Sequence, residues 1–270
     1  MRTAILTMAL GTITMVAPLA AQRPEQSEQA LDWSGTLAAG RTLAIRSING
    51  EIRVLPADGD KASVVGTKRW RRGRPEKVRV ELQKLANGDV LVCAFWDEKA
   101  SCDENGYRGG SGRNRWSWND EDGPGDVSVA FEVRLPAGVN VRSSTVNGSV
   151  NVSGVSGRVD AETVNGSVTA RSTGGPVRAN TVNGGIDATM GTRLSDDLEF
   201  ETVNGSITLT VPDGLDAELR MATTNGSVSS DFPLTVSGRL NPKRINATLG
   251  KGGNRLELQT VNGDVRLRKN

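Results

Sequence analysis

The stretch Thr163-Val164-Asn165-Gly166-Ser167-Val168 decides the fold, because it recurs. The same six letters occupy 145–150, and close variants occupy 181–186, 202–207, 223–228 and 260–265. A worn copy, Arg244-Ile245-Asn246-Ala247-Thr248-Leu249, stands between the last two. The asparagines fall at 147, 165, 183, 204, 225, 246 and 262, in steps of 18, 18, 21, 21, 21 and 16. A nearly constant step in this range marks a repeat architecture in which each unit buries its apolar face only against its neighbours. Extended chain rises about 3.3 Å per residue, so such a step traces one circuit of a narrow β-solenoid, roughly 60 Å of contour.

The hexapeptide also contains Asn-Gly, the strongest short hairpin signal. Further breakers between copies, Ser153-Gly154, Ser156-Gly157 and Thr173-Gly174-Gly175-Pro176, leave an up-and-down meander open. Two features favour stacked coils. Identical residues recurring once per circuit would lie over one another about 4.8 Å apart, an arrangement that suits Asn, Thr and Val. The three-residue changes in step also fall outside the hexapeptide, where loop insertions would. The expected fold is all-β: a β-solenoid (β-helix-like) of 18–21-residue coils, preceded by an N-terminal strand-rich part with a long inserted loop. Asn147, Asn165, Asn183, Asn204, Asn225, Asn246 and Asn262 are its expected structural ladder. Val159, Ala161 and Thr163 alternate on one face, and the alternation runs on to Asn165 before Val168 and Ala170 resume it with opposite parity. A bend at Asn-Gly, which Gly166 permits, would explain the switch and would aim Asn165 inward to bond backbone groups of adjacent coils.

Outward from the repeats, residues 1–21 have the form of a secretory signal peptide: Arg2, an apolar run over 4–16, then Ala17-Pro18-Leu19-Ala20-Ala21. The apolar run is short of the roughly 20 residues that span a bilayer, so the mature chain is expected to be exported, periplasmic or at the cell surface, and not membrane-spanning. Residues 22–32 read as a polar leader, 33–143 as the N-terminal β part with an insertion loop over 97–126, and 144–270 as the repeat solenoid. Ser47-Ile48-Asn49-Gly50-Glu51-Ile52 is an early copy of the hexapeptide. Residues 78–82 and 90–95, separated by Leu85-Ala86-Asn87-Gly88, read as an antiparallel hairpin, and 126–135 as a strand. All five tryptophans precede Asn119, while Val, Ile, Ala, Thr and Leu fill the repeats, as a narrow bore requires.

Composition excludes several chemistries. The chain contains no histidine, which removes the usual general base and zinc ligand and every Ser-His or Cys-His arrangement. The net charge is +2, so no bulk steering toward nucleic acid is implied, and no nucleic-acid partner is expected. Cys93 and Cys102 are the two cysteines. In an oxidising compartment a disulfide between them is favoured over a redox or metal role. No metal and no cofactor are expected.

Candidate binding residues lie before the repeats. Trp116 and Trp118, flanked by Arg113, Asn114 and Arg115, could stack on sugar rings, with Tyr107 nearby in the same insertion. Lys68-Arg69-Trp70-Arg71-Arg72-Gly73-Arg74 is the densest basic stretch, where Trp70 and Arg71 could meet an anionic polymer or headgroup. Asp120, Glu121, Asp122 and Asp126 could hold calcium, although their spacing matches no EF-hand loop. A polysaccharide-processing β-helix would need paired carboxylates at fixed separation. Asp160 with Glu162, or Asp196, Asp197, Glu199 and Glu201, are available, but their alternation with apolar residues is that of a solvated face. An ice-binding face on Thr145, Thr163, Thr181 and Thr202 is a further idea, set against their sharing parity with the inward asparagines.

Phe131-Glu132-Val133-Arg134-Leu135-Pro136, then Val139-Asn140-Val141, then the serial hexapeptides, resemble bacterial proteins of the DUF4097 type, which are β-strand-repeat, adhesin-like proteins. The resemblance covers roughly residues 40–270 and takes in the early copy at 47–54. It implies an exported β-repeat protein and carries over no catalytic residues. The Trp-rich insertion departs from the plain repeat. The expected function is that of a non-enzymatic adhesive, scaffolding or cell-envelope interaction module, with an envelope component, glycan or protein as partner. The alternative is a carbohydrate-binding or polysaccharide-processing β-helix protein.

Overall fold

The computed structural model describes residues 24–109, 123–191, 194–236 and 243–270. The expected signal segment, Trp116, Trp118 and Asp120 to Asp122 lie outside the described residues. In chain order the strands are β1 (Gln26–Thr36), β2 (Thr42–Arg46), β3 (Ile52–Pro56), β4 (Lys61–Trp70), β5 (Arg79–Lys84), β6 (Val90–Phe95), β7 (Ser101–Asp103) and β8 (Gly106–Arg108). There follow β9 (Ser128–Leu135), β10 (Asn140–Ser144), β11 (Val150–Val155), β12 (Val159–Glu162), β13 (Val168–Ser172), β14 (Val177–Asn180), β15 (Ile186–Thr189) and β16 (Leu198–Asn204). The last are β17 (Ile207–Val211), β18 (Ala217–Asn225), β19 (Val228–Ser230), β20 (Thr235–Val236), β21 (Arg244–Leu249), β22 (Arg255–Asn262) and β23 (Val265–Lys269).

These strands build a β-solenoid with two principal walls. Each coil gives one strand to either wall, and like strands of successive coils pair in parallel. The first wall runs β1-β4-β9-β3-β11-β13-β15-β17-β23-β19 and the second β20-β21-β18-β22-β16-β14-β12-β10-β2-β6-β5. The register is that of stacked copies: Val150 pairs with Val168, Val168 with Ile186, and Ile186 with Ile207. A meander, whose neighbours would run antiparallel, is thereby ruled out for the repeats.

The walls enclose one apolar core. In the 18-residue coils, rows of valine alternate with rows of alanine, as at Val159, Ala161, Val168 and Ala170, all fully buried. In the longer coils the alanine row becomes bulkier: Ala179 pairs with Phe200, Phe200 with Leu258, and Leu258 with Met221. The bulkier residues thus fall where the circuit lengthens. Each fully buried Val, Leu, Ile or Phe contributes about 1.5–3 kcal/mol.

Three expectations are corrected. First, the coils do not stack in chain order. β22 lies between β16 and β18, and β23 between β17 and β19, so the C-terminal coil is laid between two earlier ones. At the other end β6 and β9 lie outside β2 and β3, with β10 and β11 inside. The stretch 33–143 therefore supplies two coils of the same solenoid, and no division of the walls falls at 143/144. Second, the polar leader is not loose along its length: residues 26–36 form β1, paired antiparallel with β4. Leu31 and Trp33 on this strand are partly buried against the core, which anchors it. Third, Asn246 is not a ladder rung. It stands on β21, which runs antiparallel to β18 and places Asn246 opposite Arg220. Ala247 follows it where a corner needs glycine, for a reason given below. The antiparallel strands β4 with β1, β5, and β21 with β20 close the ends of the walls.

Candidate functional site

Every hexapeptide forms the same corner, leading from the second wall to the first. Its threonine ends the inward alternation. Thr163, Thr181, Thr202 and Thr260 are buried, and their hydroxyls donate to the glycine carbonyls of the neighbouring coil: Thr163 to Gly148 at 2.8 Å, Thr181 to Gly166 at 2.9 Å, Thr202 to Gly184 at 2.8 Å and Thr260 to Gly205 at 2.8 Å. Buried within the corner, this row offers no threonine face to ice. The glycine is needed for close approach between coils. A Cβ at Gly166 would collide with the carbonyl oxygen of Gly148, and one at Gly205 with that of Gly184.

The asparagine points outward, not inward as parity along the strand suggests. Asn165 is exposed, and its Nδ2 donates to Asn147 Oδ1 at 2.9 Å. The chain turns at the corner, so the period-2 rule stops at the threonine and both following residues face out. The amides form one directional ladder: Asn225 donates to Asn262, Asn262 to Asn204, Asn204 to Asn183, Asn183 to Asn165 and Asn165 to Asn147. Beside it runs a stripe of valines, with Val146, Val164, Val182 and Val261 each 37–38% exposed. The corner edge is therefore a straight ridge of alternating apolar and amide rows.

The insertion grows from this same ridge. β6 and β9 hold the two wall positions of the coil beyond β2 and β3, so the segment joining them stands where a hexapeptide would. The corner hydrogen bonds survive in altered form. Val129 N donates to Asn49 O at 2.8 Å, as Gly50 N does to Asn147 O. Asn49 Nδ2, lacking a further asparagine, donates to Val127 O at 3.0 Å, which also receives the buried Trp96 Nε1 at 3.0 Å.

Both described arms of the insertion are fastened down. The outgoing arm forms the hairpin β7–β8, tied to β6 by the disulfide Cys93–Cys102. Leu91, Cys93, Phe95, Ala100 and Cys102 make a second small core on the outer face of that wall. Tyr107 belongs here, its ring centroid 5.7 Å from that of Phe95, and the Arg79 guanidinium lies 4.9 Å from the Phe95 ring centre. Burial pushes the Tyr107 phenol up from its ordinary value, against a smaller opposing pull from the Trp96 backbone. The returning arm is held by the basic stretch. Asp126 Oδ1 accepts from Arg71 N at 3.0 Å and Arg72 N at 2.8 Å, and Arg74 N donates to Gly123 O at 3.1 Å. Trp70 is half-buried against the core margin, so its ring is not an open platform, whereas Arg71 is exposed. Tyr107 and the Trp70–Arg71 pair thus serve the two feet of the insertion. Asp126, once a calcium candidate, is engaged with backbone, and among the described residues no group of three His, Cys, Asp or Glu could hold a metal ion.

The outer carboxylates of the second wall enter ion pairs. Asp160 lies 3.3 Å from Arg158 and 3.8 Å from Arg142, and Asp196 also pairs with Arg158. Against the lowering effect of its part burial, hydrogen bonding and charge from Asp196 and Asp160 raise the Arg158 pKa. Glu162, Glu199 and Glu201 point to solvent from the same face.

With walls, corners and insertion in place, the architecture is that of a β-repeat solenoid. The chain matches the Toastrack DUF4097 family over residues 121–268, more than half its length, and belongs to that family. Two solved structures show a likeness to this chain. One, named as a candidate cell adhesion protein from Clostridium sporogenes, shares 10% identity at a TM-score of 0.44, covering 90% of this chain and 100% of that one. The other, named as a candidate adhesin from Bacteroides fragilis, shares 10% identity at a TM-score of 0.26, covering 93% of this chain and 100% of that one. No curated protein gives a significant match. Among the described residues no helix is long and apolar enough to cross a membrane.

Proposed function

We propose that this chain is a non-enzymatic interaction module, exported to the periplasm or cell surface, that holds an envelope component at its corner edge. The observation that carries the reading is the fastening of the insertion: the coil corner that departs from the hexapeptide is anchored at one foot by a disulfide and at the other by Asp126. Loops carried on regular scaffolds hold binding function disproportionately, and both described feet of this one are fixed to the solenoid. Export is supported by the form of residues 1–21 and by the disulfide, which persists in oxidising compartments. The non-enzymatic reading is supported by the absence of histidine and by the engagement of Asp160 and Asp196 in ion pairs on an open wall.

The test is affinity capture from envelope fractions, using the full chain and a variant in which residues 110–122 become a short Gly-Ser linker, leaving both feet intact. A partner retained by the first and lost from the second supports the reading. Equal capture by both would remove the insertion from the function, and glycan turnover lost on Asp160→Ala would replace a binding module with an enzyme.

A further inference from the structure

At the opposite end of the solenoid from the insertion, the outer face of the second wall dips into a groove of about 740 Å³ across β21, β18 and β22. The dip has a local cause. On β18 the outward residues are Glu218, Arg220 and Ala222. Ala222 lies opposite Arg244 on β21 and Gln259 on β22, so a small side chain forms the floor between two long ones.

Three arginines from three strands line this groove: Arg220, Arg244 and Arg255. Their guanidinium groups make no ion pair or hydrogen bond among the described residues, in contrast with Arg142 and Arg158 on the same wall. Two of the three lining carboxylates, which keep their charge, already accept hydrogen bonds from neutral donors. Glu218 accepts from the Thr248 hydroxyl at 3.2 and 3.3 Å, and Asp197 accepts from Arg255 N at 2.8 Å. Glu257 remains without an ion pair, and Asn246 and Gln259 add two amides. Guanidinium forks match carboxylates with two parallel hydrogen bonds. The Glu257 carboxylate and the amides match hydroxyls, and the Ala222 methyl offers an apolar spot for a ring face.

We infer that this groove is a binding site for an acidic polysaccharide bearing carboxylates, in which Arg220, Arg244 and Arg255 take the carboxylates and Glu257, Asn246 and Gln259 take ring hydroxyls. The inference rests on the interaction-module reading but places recognition at the end remote from the insertion. Replacing 110–122 therefore leaves it intact, and the two readings fail separately.

The experiment is affinity electrophoresis and calorimetric titration of the full chain with polygalacturonate, dextran sulfate and neutral dextran. Binding to polygalacturonate in preference to both others is expected. Arg220→Ala should weaken it roughly tenfold, the worth of one charge-assisted hydrogen-bonding partner. Ala222→Phe, which fills the floor on a solvent-facing position while keeping every charge, should weaken it at least as much with the melting temperature unchanged. Equal binding of dextran sulfate, or polygalacturonate binding unaltered by Ala222→Phe, would mean that diffuse charge is responsible and would overturn the site. Absence of polygalacturonate binding at low salt would also overturn it.

Discussion

Thr202→Val tests whether the corners are held by their buried hydroxyls. Thr202 is 1% exposed, and its hydroxyl donates to the Gly184 carbonyl at 2.8 Å. Valine keeps the β-branched shape and removes the donor. Leaving a half-buried carbonyl without its partner costs about 1–3 kcal/mol. The added apolar methyl returns about 0.8 kcal/mol. The net loss is about 0.2–2 kcal/mol, centred near 1, which at about 2–4 °C per kcal/mol is a fall of a few degrees in melting temperature. Asn183→Ala is the comparison. It removes two amide bonds from the middle of the ladder, but on an exposed row where water replaces them, so it should cost about 0.5 kcal/mol. Urea titrations of both variants, with the disulfide intact, give the order directly. If Thr202→Val is as stable as the parent, or Asn183→Ala is the more damaging, the corner is held from outside and the reasoning here fails.

Three further outcomes follow from the same geometry. A chain ending at Asn254 lacks β22 and β23, which separate β16 from β18 and β17 from β19; it should lose its cooperative thermal transition, and a melting temperature within about 2 °C of the parent would contradict the inserted position of the last coil. Reducing the disulfide, or Cys93→Ser with Cys102→Ser, should cost about 2–3 kcal/mol in the chain-entropy account and free the β7–β8 hairpin first, seen as faster tryptic cleavage after Lys99 and Arg108; unchanged cleavage would show that the hairpin holds without it. Hydrogen bonds from the Ser227 N–H and hydroxyl, aided by Arg266, hold Asp264 below its ordinary value. Its folded pKa being lowered, its stabilisation is present at neutral pH and fades as pH falls through the folded value. The stability gap between the parent and Asp264→Asn should therefore hold down to the usual aspartate value of about 3.9 and close below it, and a gap that stays constant below that value, or that closes above it, would refute the assignment.

The repeats announced the solenoid because their spacing reports contour length directly, and the change of parity at Asn165 correctly located a corner. What parity could not report was the direction of the side chain within the corner, since alternation between faces is a property of strands and the chain is turning there. The position of Asn246 was misread from its spacing alone. The signal against it was present: Ala247 stands where the corner has glycine, and a Cβ at the equivalent Gly166 or Gly205 would collide with the next coil. The early copy at Asn49 keeps its glycine and is a true corner, bridged to Asn147. The order of the coils was not legible, because a coil pairs equally well with any neighbour that presents the same pattern. Leu258 on the C-terminal coil meets Phe200 on one side and Met221 on the other, and nothing in the spacing of these residues says which coil comes between.

That interchangeability bears on where function sits. A solenoid laid down in strict sequence would place its last coil at an end of the stack. Here the C-terminal coil lies inside, as do β2 and β3 near the beginning, and the coils that double back occupy the outer positions. The outermost corner at one end carries the insertion, and the outer wall at the other end carries the groove over Ala222. Between them, the rows of Thr and Gly admit little change, since each side chain or its absence fits the coil beside it. On the proposed reading, variation in binding falls at the ends, where one face of a coil is free of that requirement. Substitutions on Arg220 and Ala222, or within the insertion, should alter recognition at little cost to the stack, while a single Gly184→Ala in the middle, whose Cβ would meet the Gly166 carbonyl, should cost about 3 kcal/mol.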